Sequence, residues 1–237
     1  MERSISLIMP AYNEEDTLEF SVTSACEKLR QYNFDYEIFI FNDGSTDKTG
    51  MIANYLASID LRIKVIHNAK NMNLGFNFAN GIRMATKEYT GLLPCHGQTS
   101  PESFDNILPW LHGIDVVVTY ISNPEVRPCI RNIISRINVW LVNFIFRLNL
   151  KYYHLNFYRT EVLKKIPTST DSYALMVELL VYAVKSGASY KEVPITLKKR
   201  KFGKSKALRF KNIINIFKTY ARLFWQVRVL RKRINLN

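Results

Sequence analysis

The sequence predicts an α/β fold: a mostly parallel sheet flanked by helices, followed by amphipathic helices. Short apolar runs alternate with segments of helical period from Ser4 to Tyr120. Such alternation builds parallel sheets, because each crossover returns the chain to the same end of the sheet. Several of the apolar runs end in a polar loop that opens the next helix. From Arg131 on, the pattern changes to longer stretches with apolar residues at three- and four-residue spacing.

Ser4 to Met9 is an apolar run stopped by Pro10, which reads as a buried strand. Asn13 to Asp16 offer caps and first-turn acids for a helix to about Gln31. Tyr36 to Phe41 is a second strand. Asn42 to Asp47 then opens a helix through Leu56, capped by Ser45 or Thr46. Ile63 to Ile66 is a third strand, Phe76 to Ala85 a helix, and Tyr89 to Leu93 a fourth strand. Pro101 begins a helix at its first position, where a missing N–H costs nothing. Val116 to Tyr120 is a fifth strand. Arg131 to Leu148 and Tyr173 to Lys185 are helices, Tyr190 to Ile195 is a strand, and Lys206 to Arg233 is a last helix. In parallel sheets, ligands bind beyond the carboxyl ends of the strands. The loops at 10–14, 42–47 and 94–98 should therefore line one crevice.

The chain has 237 residues, 47% hydrophobic and 13% aromatic, so it supports a sizeable core and excludes disorder. Its net charge of +13 is unevenly placed. After Glu192 there is no acidic residue but 14 Lys or Arg; the first 192 residues are close to neutral. A basic tail on a neutral body implies a localised anionic partner. Aliphatic residues interleave that tail and no base-stacking motif is present, which favours an anionic membrane surface over nucleic acid. Cys26, Cys95 and Cys129 have no paired spacing, so neither a disulfide nor a zinc framework is expected. No signal peptide is expected at the N-terminus. The stretch Ile137 to Leu150 holds Asn138, Asn143, Arg147 and Asn149 and reads as too short and polar to span a bilayer.

Pro10-Ala11-Tyr12-Asn13-Glu14 follows a strand and precedes a helix. The plain reading is a turn and cap. The functional one is a nucleotide-facing loop, with Tyr12 against a base and helix-start N–H groups toward an anion. Asn42-Asp43-Gly44-Ser45-Thr46-Asp47 is ordinary turn chemistry in isolation. Placed after a buried strand, its Asp43 faces the crevice as an acceptor for a base N–H or a ribose hydroxyl. Ala79, Gly81 and Ala85 read as close packing of a helix on the sheet, whereas Asn73 and Gly75 also approach the nucleotide sugar.

In this order, with the Gln98…Pro101-Glu102 frame, these motifs resemble glycosyltransferase family 2, specifically its polyprenyl-phosphate (dolichol-phosphate mannose synthase-like) branch. The later half agrees through Arg131 with Ser135, Arg136 and Asn138; Asn156 to Arg159 with Glu161-Val162-Leu163; Glu192 to Ile195; and Arg200-x-x-Gly203-x-Ser205-Lys206. The resemblance covers residues 4 to 206. It implies a GT-A fold and inverting transfer from a nucleotide-diphosphate sugar. It implies that Pro10, Tyr12, Glu14 and Asp43 contact the nucleotide. Arg200 and Lys206 would reach the donor phosphates, and Arg127, Arg131 and Ser135 the acceptor phosphate, here polyprenyl phosphate. Pro94, His96 and Gln98 fall in the family's metal-binding frame.

That frame has lost its acids: Pro94 and His96 stand where the family puts metal-binding aspartates. Hard Mg²⁺ or Mn²⁺ favours carboxylate oxygens. No cofactor is therefore expected to be required. Weak Mg or Mn dependence through His96 and Gln98 stays open. The charge of the departing diphosphate falls instead to Arg200 and Lys206, with His96 and Gln98 beside them. No general base stands out, and a lipid phosphate needs none, since its proton is already gone at neutral pH. Glu178 is either a core residue or faces the acceptor.

The apolar faces at Ile133, Ile137, Trp140 and Phe144, and at Phe217, Phe224 and Trp225, suit an interfacial helix. The bland alternatives are a helix packed on the domain or a dimer contact, so an oligomer stays open. The expected organisation is a catalytic domain over 1–206, with an acceptor- and membrane-facing helix at about 127–150, and a basic amphipathic helix over 207–237. The expected location is the cytoplasmic face of a membrane, peripherally bound. Two rival readings keep the fold: transfer to a glycan hydroxyl, and a catalytically silent nucleotide-binding relative.

Overall fold

A computed structural model describes residues 3–152, 155–199 and 210–229. The chain runs β1 (Ser4–Ala11), α1 (Leu18–Gln31), β2 (Asp35–Asn42), α2 (Thr49–Ile59), β3 (Ile63–His67), α3 (Leu74–Met84) and β4 (Tyr89–Leu92). It continues α4 (Ser103–Ile107), β5 (Val116–Ile121), α5 (Cys129–Phe146), β6 (Phe157–Arg159), α6 (Thr160–Lys165), α7 (Leu175–Lys185), β7 (Tyr190–Ile195) and α8 (Phe210–Leu223). A π-helical turn, Phe224–Val229, extends α8.

The strands form one seven-stranded sheet in the order β3-β2-β1-β4-β6-β5-β7. Every pairing is parallel except those of β6, which is antiparallel to β4 and β5. β1 and β2 are buried from their second residue onward, which explains their unbroken apolar runs.

Pro10 does not stop β1. The strand continues to Ala11, paired with Asn42. Pairing of β1 with β4 ends at Ile8–Leu92, and the Pro10 carbonyl meets the Cys95 N–H at 3.3 Å on that side. The missing proline N–H thus falls where the ladder has already ended.

β6 has no counterpart among the expected strands. It is three residues long, too short for any period to register. Gly91 of β4 faces Phe157 in register, and a Cβ there would lie 2.2 Å from the Phe157 ring. Only glycine lets the aromatic side chain cross the sheet at this point.

One buried knot ties the strand starts together. The Glu37 carboxylate accepts from the Ser6 hydroxyl at 2.8 Å, Lys64 Nζ at 3.0 Å, the Thr86 N–H at 2.7 Å and the Thr86 hydroxyl at 2.8 Å. Burial alone would raise its pKa, but these donors outweigh that and hold it below the ordinary value.

Candidate active site

Three loops converge beyond the carboxyl ends of β1, β2 and β4. Asn13 has a positive φ of 54° and bridges two of them: its N–H reaches Ser45 Oγ at 3.1 Å, and its Oδ1 accepts the Thr46 N–H at 2.9 Å. The Glu14 N–H donates to Thr49 Oγ1 at 2.8 Å. Ser45 and Thr46 therefore serve the neighbouring loop, and Asp47 caps α2 instead, accepting the Thr49 N–H at 3.0 Å. The third loop joins through Thr17, whose hydroxyl donates to the Cys95 carbonyl at 2.7 Å and to Glu14 Oε2 at 3.2 Å.

Asp43 is turned inward. Its Oδ1 accepts the Met72 N–H at 2.8 Å and Asn68 Nδ2 at 2.9 Å, and its Oδ2 accepts the Asn73 N–H at 3.1 Å. The carboxylate thus braces the loop that opens α3. Asn73 there adopts φ 75°, ψ 159°, a region that a side chain rarely enters. Gly75 faces the carbonyls of Asp171 and Ser172, where a Cβ would come within 2.5 Å of both. Gly44, at φ 70°, lies as close to the Lys70 backbone. Each of these glycines is required by space; Pro10 and Tyr12 complete the crevice, buried and half-buried respectively.

In the 94–98 segment, Pro94 is buried and offers no ligand. The Cys95 side chain is fully buried; burial pushes its thiol well up, and the nearby Glu14 carboxylate adds to that. Its carbonyl is taken by Thr17 and Ser21. His96 is half-buried, with Nδ1 at 3.4 Å from the Gln98 N–H, and Gln98 is buried. Among the described residues no group of three or more His, Cys, Asp or Glu is placed to hold a metal ion. The donor set of this segment does not fit a hard divalent cation. The carbonyl of Gln98 accepts the Lys198 N–H at 2.7 Å, and Thr99 pairs with Leu197. The chain leading toward Arg200 therefore runs along this segment. Arg200 and Lys206 themselves lie outside the described residues.

A second cavity of about 470 Å³ opens between the end of β5, α5 and the 150–152 segment. Arg127, Arg136 and Lys151 supply its charged lining, with Asn132, Ser135 and Asn143 as neutral polar groups, and Tyr120, Ile121, Val139, Trp140, Leu150 and Tyr152 most of the rest. Arg127 and Ser135 both line it. Arg131, one turn earlier on α5, is outside the lining. Arg136 and Lys151 are cations to which the sequence had given no role in this site. Lys151 arrives because Arg147 turns the chain at φ 50° and Asn143 holds Leu150 at both its N–H and carbonyl. Its Nζ lies 5.5 Å from the Tyr120 ring centre.

The face of α5 that adjoins this cavity is bare, and Trp140 belongs to both. Ile130, Ile133, Ile134, Ile137, Trp140 and Phe144 are exposed, and Trp140 stacks on Phe144 at 5.5 Å. By length and composition alone this 18-residue helix is long and apolar enough to cross a membrane, and little of it is buried within the protein. The sequence had placed this stretch later, over Ile137 to Leu150, where it read as too polar.

Glu178 is a core group, not an acceptor-facing one. It is fully buried, hydrogen-bonded to the Ser169 hydroxyl and N–H, and 3.6 Å from Arg222 of α8. Burial raises its pKa, against the lowering effect of Ser169 and Arg222.

The profile of "Glycosyl transferase family 2" matches residues 6–175. A polyprenol monophosphomannose synthase of Mycolicibacterium smegmatis is 28% identical over 84% of this chain and 79% of its own. An undecaprenyl-phosphate mannosyltransferase of Micrococcus luteus is 25% identical over 84% of this chain and 85% of its own. Among solved structures, glucosyl-3-phosphoglycerate synthase of Mycobacterium tuberculosis with uridine diphosphate has the same fold, with a TM-score of 0.69. It is 17% identical, covering 94% of this chain and 80% of that one. The same enzyme is also solved with Mg²⁺ and uridine diphosphate, at a TM-score of 0.69 and 15% identity, covering 93% of this chain and 79% of that one.

Proposed function

The chain belongs to glycosyl transferase family 2, and from that premise we propose that it moves one sugar from a nucleotide diphosphate to polyprenyl phosphate at a membrane surface, with inversion. The single observation that carries the reading is the cavity holding Arg127, Ser135, Arg136 and Lys151 beside the bare apolar face of α5. A phosphate with a long apolar tail matches both features at once. Guanidinium groups grip phosphate oxygens in a fork, and the exposed helix face rests in the interfacial layer of a bilayer. Two relatives carry a polyprenyl acceptor and mannose in their names.

The donor nucleotide lies across the loops at 10–14 and 42–47. Tyr12 and Glu14 line that end, while Asp43 shapes it through the α3 loop. A phosphate oxygen of the acceptor attacks the anomeric carbon from the face opposite the diphosphate. The new phosphate-oxygen–carbon bond forms as the carbon–oxygen bond to the diphosphate breaks, and the electron pair leaves with the nucleoside diphosphate. No proton has to be abstracted. The growing negative charge falls on Arg200 and Lys206, with His96 and Gln98 at the near edge. Lys198, two residues before Arg200, is already bonded to Gln98. Catalysis proceeds without an obligatory divalent cation, on the cytoplasmic face of the membrane.

The test is transfer of radiolabelled sugar from a panel of nucleotide sugars to polyprenyl phosphate in vesicles, with and without EDTA. Expected are a lipid-phosphate sugar product and a rate in EDTA within about twofold of the control. Replacing Arg200 and Lys206 by alanine should cost about a hundredfold or more, the scale of losing a preorganised charge partner. Full activity of that variant, or abolition of turnover by EDTA, overturns the charge assignment. Transfer only to free glycans overturns the acceptor.

A further inference from the structure

The geometry points to Tyr220, on helix α8, as a positioning residue for the acceptor, acting through Asn138 of α5 on Tyr152, which lines the cavity. The inference rests on the reading of that cavity as the acceptor-phosphate site. Tyr220 is buried, and its hydroxyl donates to Asn138 Oδ1 at 2.7 Å. On the same side chain, Asn138 Nδ2 donates to the Tyr152 hydroxyl at 3.0 Å. Tyr152 lines the cavity and follows Lys151, a cation of the same lining. α5, the 150–152 segment that soon follows it, and α8, 82 residues on from Asn138 at Tyr220, thus meet in one polar relay.

The relay sits in an otherwise apolar junction. The Tyr220 ring packs edge-to-face on Phe146 at 6.4 Å, and Phe146 is fully buried. Burial pushes the Tyr220 phenol up to about 12 and the Tyr152 phenol well up too, so both keep their protons at neutral pH. With Tyr220 as donor, the Asn138 amide has one orientation that satisfies both neighbours. Apolar side chains would fill this junction equally well. Directional bonds add a fixed position, not extra burial. What they fix is the spacing of the Lys151–Tyr152 wall from Arg127, Ser135 and Arg136 opposite. A two-sided grip on phosphate depends on that spacing.

The variant Tyr220→Phe removes only the hydroxyl and keeps the ring. Calorimetry with farnesyl phosphate, a soluble prenyl phosphate, reads the cavity directly; turnover on polyprenyl phosphate reads the reaction. Expected is a rise of about three- to tenfold in both the farnesyl phosphate Kd and the polyprenyl phosphate KM, the loss of one neutral hydrogen bond. The donor KM and kcat should stay at the parent values, and the melting temperature should fall by no more than several degrees, the cost of one buried hydrogen bond. Asn138→Leu, a second route that removes both bonds, should give the same pattern, and the double variant should add nothing further. Unchanged acceptor affinity in both variants, with the parent protein binding farnesyl phosphate, overturns the relay and leaves the acceptor site standing. So does a parallel loss of donor KM, kcat and melting temperature, which marks a general packing role. Failure of the folded parent protein to bind farnesyl phosphate removes the acceptor site, and the relay falls with it.

Discussion

The carboxylate of Asp43 accepts the backbone N–H of Met72 at 2.8 Å, across 29 residues of sequence. With the Asn73 N–H at 3.1 Å on its other oxygen, it holds the strained entry to α3. Asp43→Ala leaves two N–H groups without acceptors and frees Asn73 from its unusual backbone angles. We expect the donor KM to rise at least tenfold with the acceptor KM little changed. The Met72 and Asn73 amides should lose hydrogen-exchange protection. Protected amides in the variant would show that the carboxylate does not brace this loop.

Glu37 and Glu178 are buried carboxyls with opposite shifts, so they bias stability in opposite directions with pH. Glu37 has a folded pKa below its unfolded one; its contribution is present above the unfolded value and lost as pH falls through the folded one. Glu178 has a raised folded pKa, so stability declines as pH climbs from the unfolded value through the folded one. Glu37→Gln should flatten the acid limb of the stability curve and cost about 2–3 kcal/mol near neutral pH, by loss of charge-assisted bonds. Denaturant unfolding across pH checks it; an acid limb as steep as the parent's would refute the role of Glu37.

Arg127 and Arg136 supply guanidinium groups to the second cavity. Alanine at either should raise the polyprenyl phosphate KM by about ten- to a hundredfold, the cost of one charge-assisted contact, with the donor KM unchanged. Arg131→Ala, outside the lining, should have the smaller effect. Steady-state kinetics in vesicles separates the three.

Trp140 and Phe144 are 62% and 70% exposed. Replacing both by serine should release the protein from anionic vesicles in flotation, while the melting temperature shifts little because neither ring is in the core. Retention of the double variant on vesicles would place the contact elsewhere.

Much of this architecture was legible in the sequence because buried parallel strands leave unbroken apolar runs. β1, β2, β5 and β7 match their expected ranges within about two residues at each end. β6 was not legible: Phe157-Tyr158-Arg159 is too short to show a period, and its place in the sheet is set by a glycine 66 positions earlier, Gly91. At the site, the convergence of three loops followed from topology. The inward turn of Asp43 did not, because two of its three partners are backbone N–H groups that no side-chain pattern encodes. Lys151 was missed for a related reason: a left-handed Arg147 brings it back along α5, and arginine carries no signal for that conformation.

The bare face of α5 has a practical side. Six large apolar side chains, one of them tryptophan, stand in water along one helix. In plain buffer such a stripe finds the same stripe on another molecule as concentration rises. A purification that carries mild detergent from lysis onward should hold the protein monodisperse, and one that removes it should meet turbidity first in the most concentrated fractions.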